Sequence, residues 1–451
     1  MQRLLFPKLS LIGSFIILVM AFVSSCTNER HNSGTKVVKN WINWNILFDK
    51  GKAVDTASFN YSIKEVKQYV DTYVKKYNDT SKKTIRPGEY RFVGCKCDPY
   101  LNRLEVDLRM DTSTGETRVP PTPPPTPGVS GGSVSENTAL YKPYTEMKMS
   151  VPRRIMKLTG RPPDKQAPIL AVIDTGIDTT LFSSGVNNII WKVPGVNPLT
   201  NFIYPSGAGG FQDDHFNYHG TNVSSIILNE FADVSYPRLM VLKAMDSLGS
   251  GTVFSVSCAI SYAIQNKASL INMSFGYFGN RDTVLAKYFS LANKDSIILV
   301  CAAGNASGPR ENLCAAGVNP NNELKPGHLF FPACFSKEFT GNVITVAGLN
   351  EVLSPCYYQN YSKEYVSLGV KNQINCCFFN SLIGATNIEG SSFATPVASG
   401  RIGRLKLNET NKRLGIFYLQ SILTSQTPAL TPAEISTAGS FIKTGNFIVN
   451  H

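Results

Sequence analysis

The sequence has 451 residues, 43% of them hydrophobic and 17% charged, which suits one large globular domain or two to three smaller ones. The formal net charge is +12, but the basic residues form no dense run and no nucleic-acid motif occurs, so we expect no nucleic-acid partner. The ten cysteines are too few for a disulfide scaffold and lack the spacing of a zinc knuckle.

The first residues of the chain have the pattern of a targeting segment. Arg3 and Lys8 precede an uncharged apolar run over residues 9–23, which is too short to span a membrane and is typical of a signal peptide. The run ends in Ser24-Ser25-Cys26 and resembles the lipobox of bacterial lipoproteins, which implies loss of residues 1–25 and lipidation of Cys26. Ordinary signal-peptide cleavage is the alternative. We therefore expect an exported protein, lipid-anchored at the membrane of the bacterial cell envelope.

Residues 26–112 are predicted to form a small N-terminal α/β domain. Residues 63–74 have a helical apolar period, and residues 104–110 alternate as in a half-buried strand. Six prolines lie between Pro120 and Pro127, and Gly131-Gly132 follows. Residues 113–140 are therefore predicted to form a linker whose first part is stiff and whose second part is flexible. The domain could be a propeptide or an accessory domain. The spacer favours an accessory domain that stays attached.

The remaining residues, 141–451, are predicted to form one large α/β domain. Short apolar runs suited to strands buried on both faces alternate with helical stretches, among them residues 223–227 and 256–264. The predicted strands are Ile169–Ile173, Leu239–Lys243, Leu270–Met273, Ile297–Cys301 and Val343–Val346. The alternation indicates a mainly parallel sheet with helices on both sides. The active site of such a sheet forms beyond the carboxyl ends of its strands.

Beyond Cys26 and the pair Cys95 and Cys97, which are separated by one residue, seven cysteines fall in two groups. Cys258 and Cys301 lie in apolar periodic segments and are predicted to be buried thiols. The rest lie in loop-like sequence and are candidates for bridges in an oxidising compartment: Cys314, Cys334, Cys356, Cys376 and Cys377. Their pairing does not follow from the sequence.

Three side chains at the edge of the predicted sheet carry the chemistry. Asp174 follows the strand Ile169–Ile173, His219 opens a helical stretch, and Ser392 stands at the mouth of a buried helix. Taken alone, each residue has a simpler structural explanation: Asp174 as a turn residue, His219 as a buried core histidine and Ser392 as a helix N-cap. Together they are the acid, base and nucleophile of a Ser-His-Asp triad.

The chain order Asp, His, Ser is the order found in subtilisin. Asp174-Thr175-Gly176, His219-Gly220-Thr221 and Gly390-Ser391-Ser392-Phe393-Ala394-Thr395-Pro396 resemble the motifs of the subtilisin-like serine protease family, and the resemblance covers about residues 145–451. The resemblance implies a three-layer subtilisin-like fold and a serine endopeptidase that hydrolyses peptide bonds through an acyl-enzyme. The alternative is a catalytically inactive relative that binds extended peptides. No cofactor is required, and a monomer is expected.

The resemblance extends to residues that would bind the substrate. Residues 270–276 resemble the family's strand that pairs with an extended peptide, which implies backbone contacts through Ser274, Phe275 and Gly276. Ala303-Gly304 would form one wall of the first specificity pocket, and Phe275 would shape the pockets. Asn305 would donate to the oxyanion together with the Ser392 N–H. We expect Ser392 Oγ within hydrogen-bond reach of His219, with Asp174 behind the imidazole and Asn305 facing the same space.

The sequence also departs from the family pattern at three places. Asn222 replaces the usual histidine of the His motif, residues 367–370 replace an Ala-Pro-Gly approach, and a long segment separates Asn305 from the next strand. No carboxylate cluster predicts a strong metal site, so no metal ligand is assigned. Asp213 and Asp214 are the candidate ligands for a structural calcium ion.

Overall fold

The structure is a computed structural model of the chain. It describes residues 37–48, 64, 67–68, 70–76, 78–79, 85–95, 97–111, 132–136, 139–141, 153–191, 210–306, 318–371, 378–384, 387–408 and 448–449. The predicted signal peptide and Cys26 lie outside these residues. Within the described ranges, no helix has both the length and the apolar character needed to cross a membrane.

An antiparallel sheet of four strands forms the N-terminal unit, with the spatial order β2-β3-β1-β4. The strands are β1 (Val37–Phe48), β2 (Ile85–Cys95), β3 (Asp98–Asp111) and β4 (Gly132–Glu136). In β3, the alternating residues Leu104 and Val106 are buried, as the sequence pattern predicts for a half-buried strand. Residues 70–76 are helical, which agrees with the period found there.

The segment predicted to be a linker contains two strands. Strand β4 pairs with β1, and β5 (Ala139–Tyr141) pairs antiparallel with residues 250–252 of the large domain. The prediction of a flexible second half for residues 113–140 is therefore wrong for these residues. Its Gly-Ser composition carries little strand propensity, and the strands form because partners distant in sequence offer free edges.

The large domain is built on a parallel sheet, and the predicted fold class is confirmed. Its seven described strands have the order β17-β14-β13-β11-β9-β6-β7, and every pair is parallel. These strands are β6 (Ile169–Asp174), β7 (Arg238–Lys243), β9 (Leu270–Met273), β11 (Ile298–Ala302), β13 (Val343–Leu349), β14 (Leu368–Lys371) and β17 (Ile448–Val449). Short strands complete the set: β8 (Ser250–Thr252), β10 (Tyr277–Phe278), β12 (Phe330–Phe331), β15 (Phe378–Asn380) and β16 (Asn387–Glu389).

Helices cover both faces of the sheet. The α-helices are α1 (Val186–Ile189), α2 (His219–Asn229), α3 (Val253–Gln265), α4 (Thr283–Lys294) and α5 (Ser391–Asn408), with 3-10 turns at Thr179–Leu181, Pro320–Asn322 and Ala333–Lys337. Thr252 and Ser255 form a capping box at the start of α3, and the Asp282 side chain caps α4. These caps define the residue at which each of the two helices begins.

The alternation of side chains in β6 divides the core into two layers. Ile169, Ala171 and Ile173 pack with residues of α3 and α4, whereas Leu170 and Val172 pack with residues of α2 and α5. Successive side chains of a strand point to opposite faces, so a strand covered on both faces is apolar throughout. The result is three layers, with α2 and α5 brought together on the face that carries the candidate site.

A disulfide joins the N-terminal sheet to the large domain. Cys95, at the end of β2, is bonded to Cys258 in α3, with a Cα–Cα distance of 5.9 Å. The prediction that Cys258 is a buried thiol is therefore wrong, whereas Cys301 is a buried thiol. Cys334, a candidate for a bridge, is also a buried thiol, and Cys356 is disulfide-bonded. Helical periodicity shows that Cys258 is buried but not which element covers it.

Polar contacts surround this disulfide. Asp98 is buried, and its Oδ2 accepts hydrogen bonds from Ser261 Oγ and Tyr288 Oη, each at 2.7 Å. Gln265 Nε2 donates to the Cys97 carbonyl oxygen at 2.7 Å. The turn between β2 and β3 thus docks on α3 and α4 by covalent and hydrogen bonds together.

Candidate active site

A buried acid–imidazole pair lies at the carboxyl end of β6. Asp174 is the last residue of that strand, and its Oδ1 lies 2.7 Å from His219 Nδ1. Both side chains are buried. Because a carboxylate only accepts hydrogen bonds, Nδ1 carries the proton and Nε2 of the neutral ring is left as the acceptor. This is the tautomer that a general base needs.

Glycines bring the two side chains together. His219 is the first residue of α2, and the next residue, Gly220, packs against the turn that follows Asp174. A Cβ atom on Gly220 would lie 2.9 Å from Gly176 N and 3.1 Å from Thr175 Oγ1. The Gly220 N–H donates to Thr175 Oγ1 at 2.9 Å, which holds the start of α2 against β6.

A second carboxylate, that of Asp213, stabilises the first turn of α2. Asp213 Oδ2 accepts hydrogen bonds from Thr221 N at 2.9 Å and Thr221 Oγ1 at 2.6 Å. Burial raises the pKa of the Asp213 carboxyl, although the Thr221 hydrogen bonds oppose the shift. Asp214 Oδ1 instead pairs with Lys243 Nζ at 2.7 Å. Both candidate calcium ligands therefore have partners within the protein.

Ser392 lies at the start of α5, as its second residue. The preceding Gly390 has φ +117°, a conformation open to glycine, and a Cβ atom there would lie 2.8 Å from Asn305 Nδ2. Pro396 lies inside the helix rather than in its first turn, so it removes the N–H that would bond to the Ser392 carbonyl. The ring of Phe393 lies 5.3 Å from that of His219, which places the start of α5 beside the imidazole.

The hydroxyl of Ser392 does not bond to His219. Its Oγ donates to the Ser274 carbonyl oxygen at 2.8 Å, and His219 Nε2 is buried without a hydrogen-bond partner among the described residues. The start of α5 lies beside the imidazole, but the Ser392 hydroxyl is turned toward the end of β9. The carbonyl at the end of a neighbouring strand is the competing acceptor, and sequence spacing does not reveal it.

Asn305 lies on the other side of Ser392. Its Oδ1 accepts a hydrogen bond from Ser391 N at 3.1 Å, which fixes the orientation of the amide. The Asn305 side chain is 8% exposed, and its Nδ2 is buried without a hydrogen-bond partner among the described residues. A buried amide donor without a partner is costly, and an acceptor oxygen placed next to Nδ2 would remove that cost.

The predicted substrate-binding residues divide into backbone and core positions. Ser274, Gly276 and Gly304 lie beyond the ends of β9 and β11, near Ser392 and Asn305. Phe275 and Ala303 are fully buried, and both side chains belong to the core below the site. The Phe275 side chain is therefore not exposed to a bound peptide, and the prediction that its backbone pairs with a substrate stays a prediction.

Asn222, which stands where the family has a histidine, has a structural role. Its Nδ2 donates to the carbonyl oxygens of Tyr218 and Asn217, and its Oδ1 accepts from Ser381 Oγ at 2.9 Å. These hydrogen bonds connect the first turn of α2 to the loop that contains Ser381.

Sequence reasoning missed a strand edge beside the site. Strand β8 (Ser250–Thr252) pairs antiparallel with β5 (Ala139–Tyr141), and β5 also lies near β10, which directly follows Gly276. The Gly-Ser-Gly sequence over residues 249–251 is the only local signal, and it is more typical of a loop. The chain thus places one of its own strands on an edge adjoining Ser274–Gly276.

Comparison with known proteins decides the family. The profile of the subtilase family, peptidase S8, matches residues 165–435. The chain belongs to the subtilase family. The match contains Asp174, His219, Asn305 and Ser392, which confirms the family suggested by the motifs.

Relatives in this family include named serine proteases. The chain is 26% identical over 250 residues to the major intracellular serine protease of Bacillus subtilis, covering 53% of this chain and 68% of that protein. It is 29% identical over 237 residues to the thermostable alkaline protease of Halalkalibacterium halodurans, covering 51% of this chain and 54% of that protein. Among solved structures, a cold-adapted subtilisin-like serine proteinase matches 60% of this chain and 89% of its own, with 19% identity and a TM-score of 0.42.

Proposed function

We propose that this subtilase is a serine endopeptidase that cleaves extended peptides through an acyl-enzyme on Ser392. One observation carries the proposal: the two atoms that the reaction needs, His219 Nε2 and Asn305 Nδ2, are both buried beside Ser392 without a partner among the described residues. Such orphan groups are normally avoided in folded proteins. A bound substrate and its tetrahedral intermediate would satisfy both.

The chemistry follows from the positions of these groups. Rotation of the Ser392 hydroxyl from the Ser274 carbonyl toward His219 lets Nε2 take the proton as Oγ attacks the peptide carbonyl carbon. The oxyanion accepts a hydrogen bond from Asn305 Nδ2, and Asp174 stabilises the imidazolium. His219 then protonates the leaving amine, and water, deprotonated by the same imidazole, releases the acyl group.

The proposed substrate class follows from the segment Ser274–Gly276, which continues beyond the end of β9 beside Ser392. A peptide in extended conformation would pair with this segment, a mode in which main-chain hydrogen bonds provide the affinity.

We also propose export and lipid anchoring through Cys26, on the pattern of the first 26 residues alone. The N-terminal unit is proposed to remain attached, with support from the Cys95–Cys258 bond, which would hold it even after a cut in the linker. Metabolic labelling with a clickable fatty acid tests the anchor: we expect label on the wild type and none on Cys26→Ala.

A serine-directed fluorophosphonate probe tests the proposed activity. We expect the mature wild-type protein to be labelled, Ser392→Ala to be unlabelled, and the exposed-serine control Ser247→Ala to be labelled like the wild type. The alternative is a catalytically inactive relative that binds extended peptides without cleaving them. A folded wild-type protein that binds peptides but takes up no probe would establish that alternative.

A further inference from the structure

An aromatic side chain fills the space next to the candidate nucleophile. A Cβ atom on Gly276 would lie 2.5 Å from Phe330 Cζ, and one on Gly304 would lie 2.6 Å from Phe330 Cε1. The Phe330 ring therefore packs directly on both glycines. Real Cβ atoms do not approach other atoms so closely, so the ring occupies the space that any side chain there would need.

The two glycines flank the place where the attacked residue of a substrate must lie. Gly276 is two residues beyond Ser274, whose carbonyl oxygen accepts the Ser392 hydroxyl, and Gly304 directly precedes Asn305. A peptide carbonyl carbon at Ser392 Oγ with its oxygen at Asn305 Nδ2 has its own Cα beside both segments. The side chain on that Cα is directed into the gap between the ends of β9 and β11, which is where the ring of Phe330 lies.

The ring is held in this gap from several sides. Phe330 is 3% exposed, and its N–H donates to Cys334 Sγ at 3.3 Å. Its ring meets Phe278 edge to face with centroids 4.9 Å apart, and Phe278 stacks on His328 at 4.9 Å. Strand β12, which carries Phe330, pairs with β10. Moving the ring aside would break this packing, so a large substrate side chain cannot displace it without loss of stability.

From this packing we infer that Phe330 restricts the residue on the acyl side of the scissile bond to glycine or alanine. The inference rests on the proposed peptidase activity and names its substrate class. A pocket filled by a protein side chain admits a hydrogen or a methyl group and rejects branched, aromatic and long side chains by steric overlap.

Hydrolysis of peptides that differ only at this residue tests the inference. For the wild type we expect kcat/KM to be at least about 100-fold higher with alanine than with phenylalanine or leucine, since discrimination by a closed pocket exceeds that from one methylene. Phe330→Ala should reverse the order in favour of the large residues, and Phe330→Leu should narrow the difference. A wild type that cleaves after phenylalanine or leucine as well as after alanine would overturn the inference.

Two controls distinguish a failure of the inference about Phe330 from a failure of the proposed peptidase activity. Phe335→Leu removes a buried ring that contacts Phe331 rather than the two glycines, so it should change stability without changing the preference. The small fluorophosphonate probe reports Ser392 independently of the pocket. Absence of labelling would count against the peptidase itself, whereas labelling combined with a preference for large residues would count against the role of Phe330 alone.

Discussion

Ser392 Oγ donates a hydrogen bond to the carbonyl oxygen of Ser274 at 2.8 Å. The same carbonyl belongs to the segment proposed to pair with a peptide. Under the proposed function, a peptide that engages this segment would compete for the acceptor and free the Ser392 hydroxyl to turn toward His219, which would link substrate binding to activation of the nucleophile.

Replacement of Asn305 tests the oxyanion role. Asn305→Ala removes the Nδ2 donor, and we expect kcat to fall by about 10²–10³ with little change in KM; this range was established for subtilisin itself. Asn305→Asp keeps the acceptor for Ser391 N but replaces the donor by a negative charge, so it should be at least as damaging. If Asn305→Asp retained full activity, the residue would be structural only.

Replacement of Asp174 tests the tautomer of His219. Asp174→Asn can donate to Nδ1 and thereby place the ring proton on Nε2, where it blocks general-base catalysis. We expect kcat to fall by about 10⁴, as in other triads. The measurement is peptide hydrolysis under single-turnover conditions, with circular dichroism to show that the fold is kept. A loss below about tenfold would show that Asp174 does not set the tautomer.

The buried carboxyl of Asp213 predicts a pH dependence of stability. Burial raises its pKa above the ordinary value of 3.8, so the folded state binds the proton more tightly than the unfolded state. This contribution to stability is complete below the ordinary pKa and is lost as the pH rises through the raised one. We therefore expect the free energy of unfolding of the wild type to fall more steeply with rising pH than that of Asp213→Asn.

Urea unfolding at a series of pH values measures both slopes. Thr221→Val is a second test, because it keeps the carboxyl group but removes a hydrogen bond that lowers its pKa, so the pH-dependent loss of stability should extend to higher pH than in the wild type. Parallel curves for the wild type and Asp213→Asn would show that this carboxyl does not titrate with folding.

The bond between Cys95 and Cys258 predicts that the N-terminal unit survives a cut in the linker. After cleavage at a protease site inserted among residues 113–131, the two fragments should migrate together without reductant and apart with it. Cys258→Ser should separate them under both conditions and should lower the free energy of unfolding of the intact chain by about 2–4 kcal/mol. Cys301→Ser, which changes a buried thiol outside this bond, should leave the two fragments joined without reductant, as in the wild type. Separation of the wild-type fragments without reductant would refute the covalent attachment.

The sequence by itself predicted five of the seven described strands of the central sheet and selected the candidate site residues. Leu270–Met273 is a strand with the predicted bounds, because a short run that is apolar at every position suits a strand buried on both faces. Asp174, His219 and Ser392 could be selected because each stands in a short motif whose residue types are fixed by local chemistry, namely a strand end, a helix start and a glycine turn.

Only the tertiary structure decided how distant segments meet. Cys95 and Cys258 are 163 residues apart, and neither local period nor spacing pairs them. Three other contacts join segments that are distant in sequence. Strand β5 pairs with β8, the Ser392 hydroxyl donates to the Ser274 carbonyl, and the Phe330 ring packs on Gly276 and Gly304. Periodicity reports whether a side chain is buried, whereas the neighbour that buries it follows from the packing of elements across the whole chain.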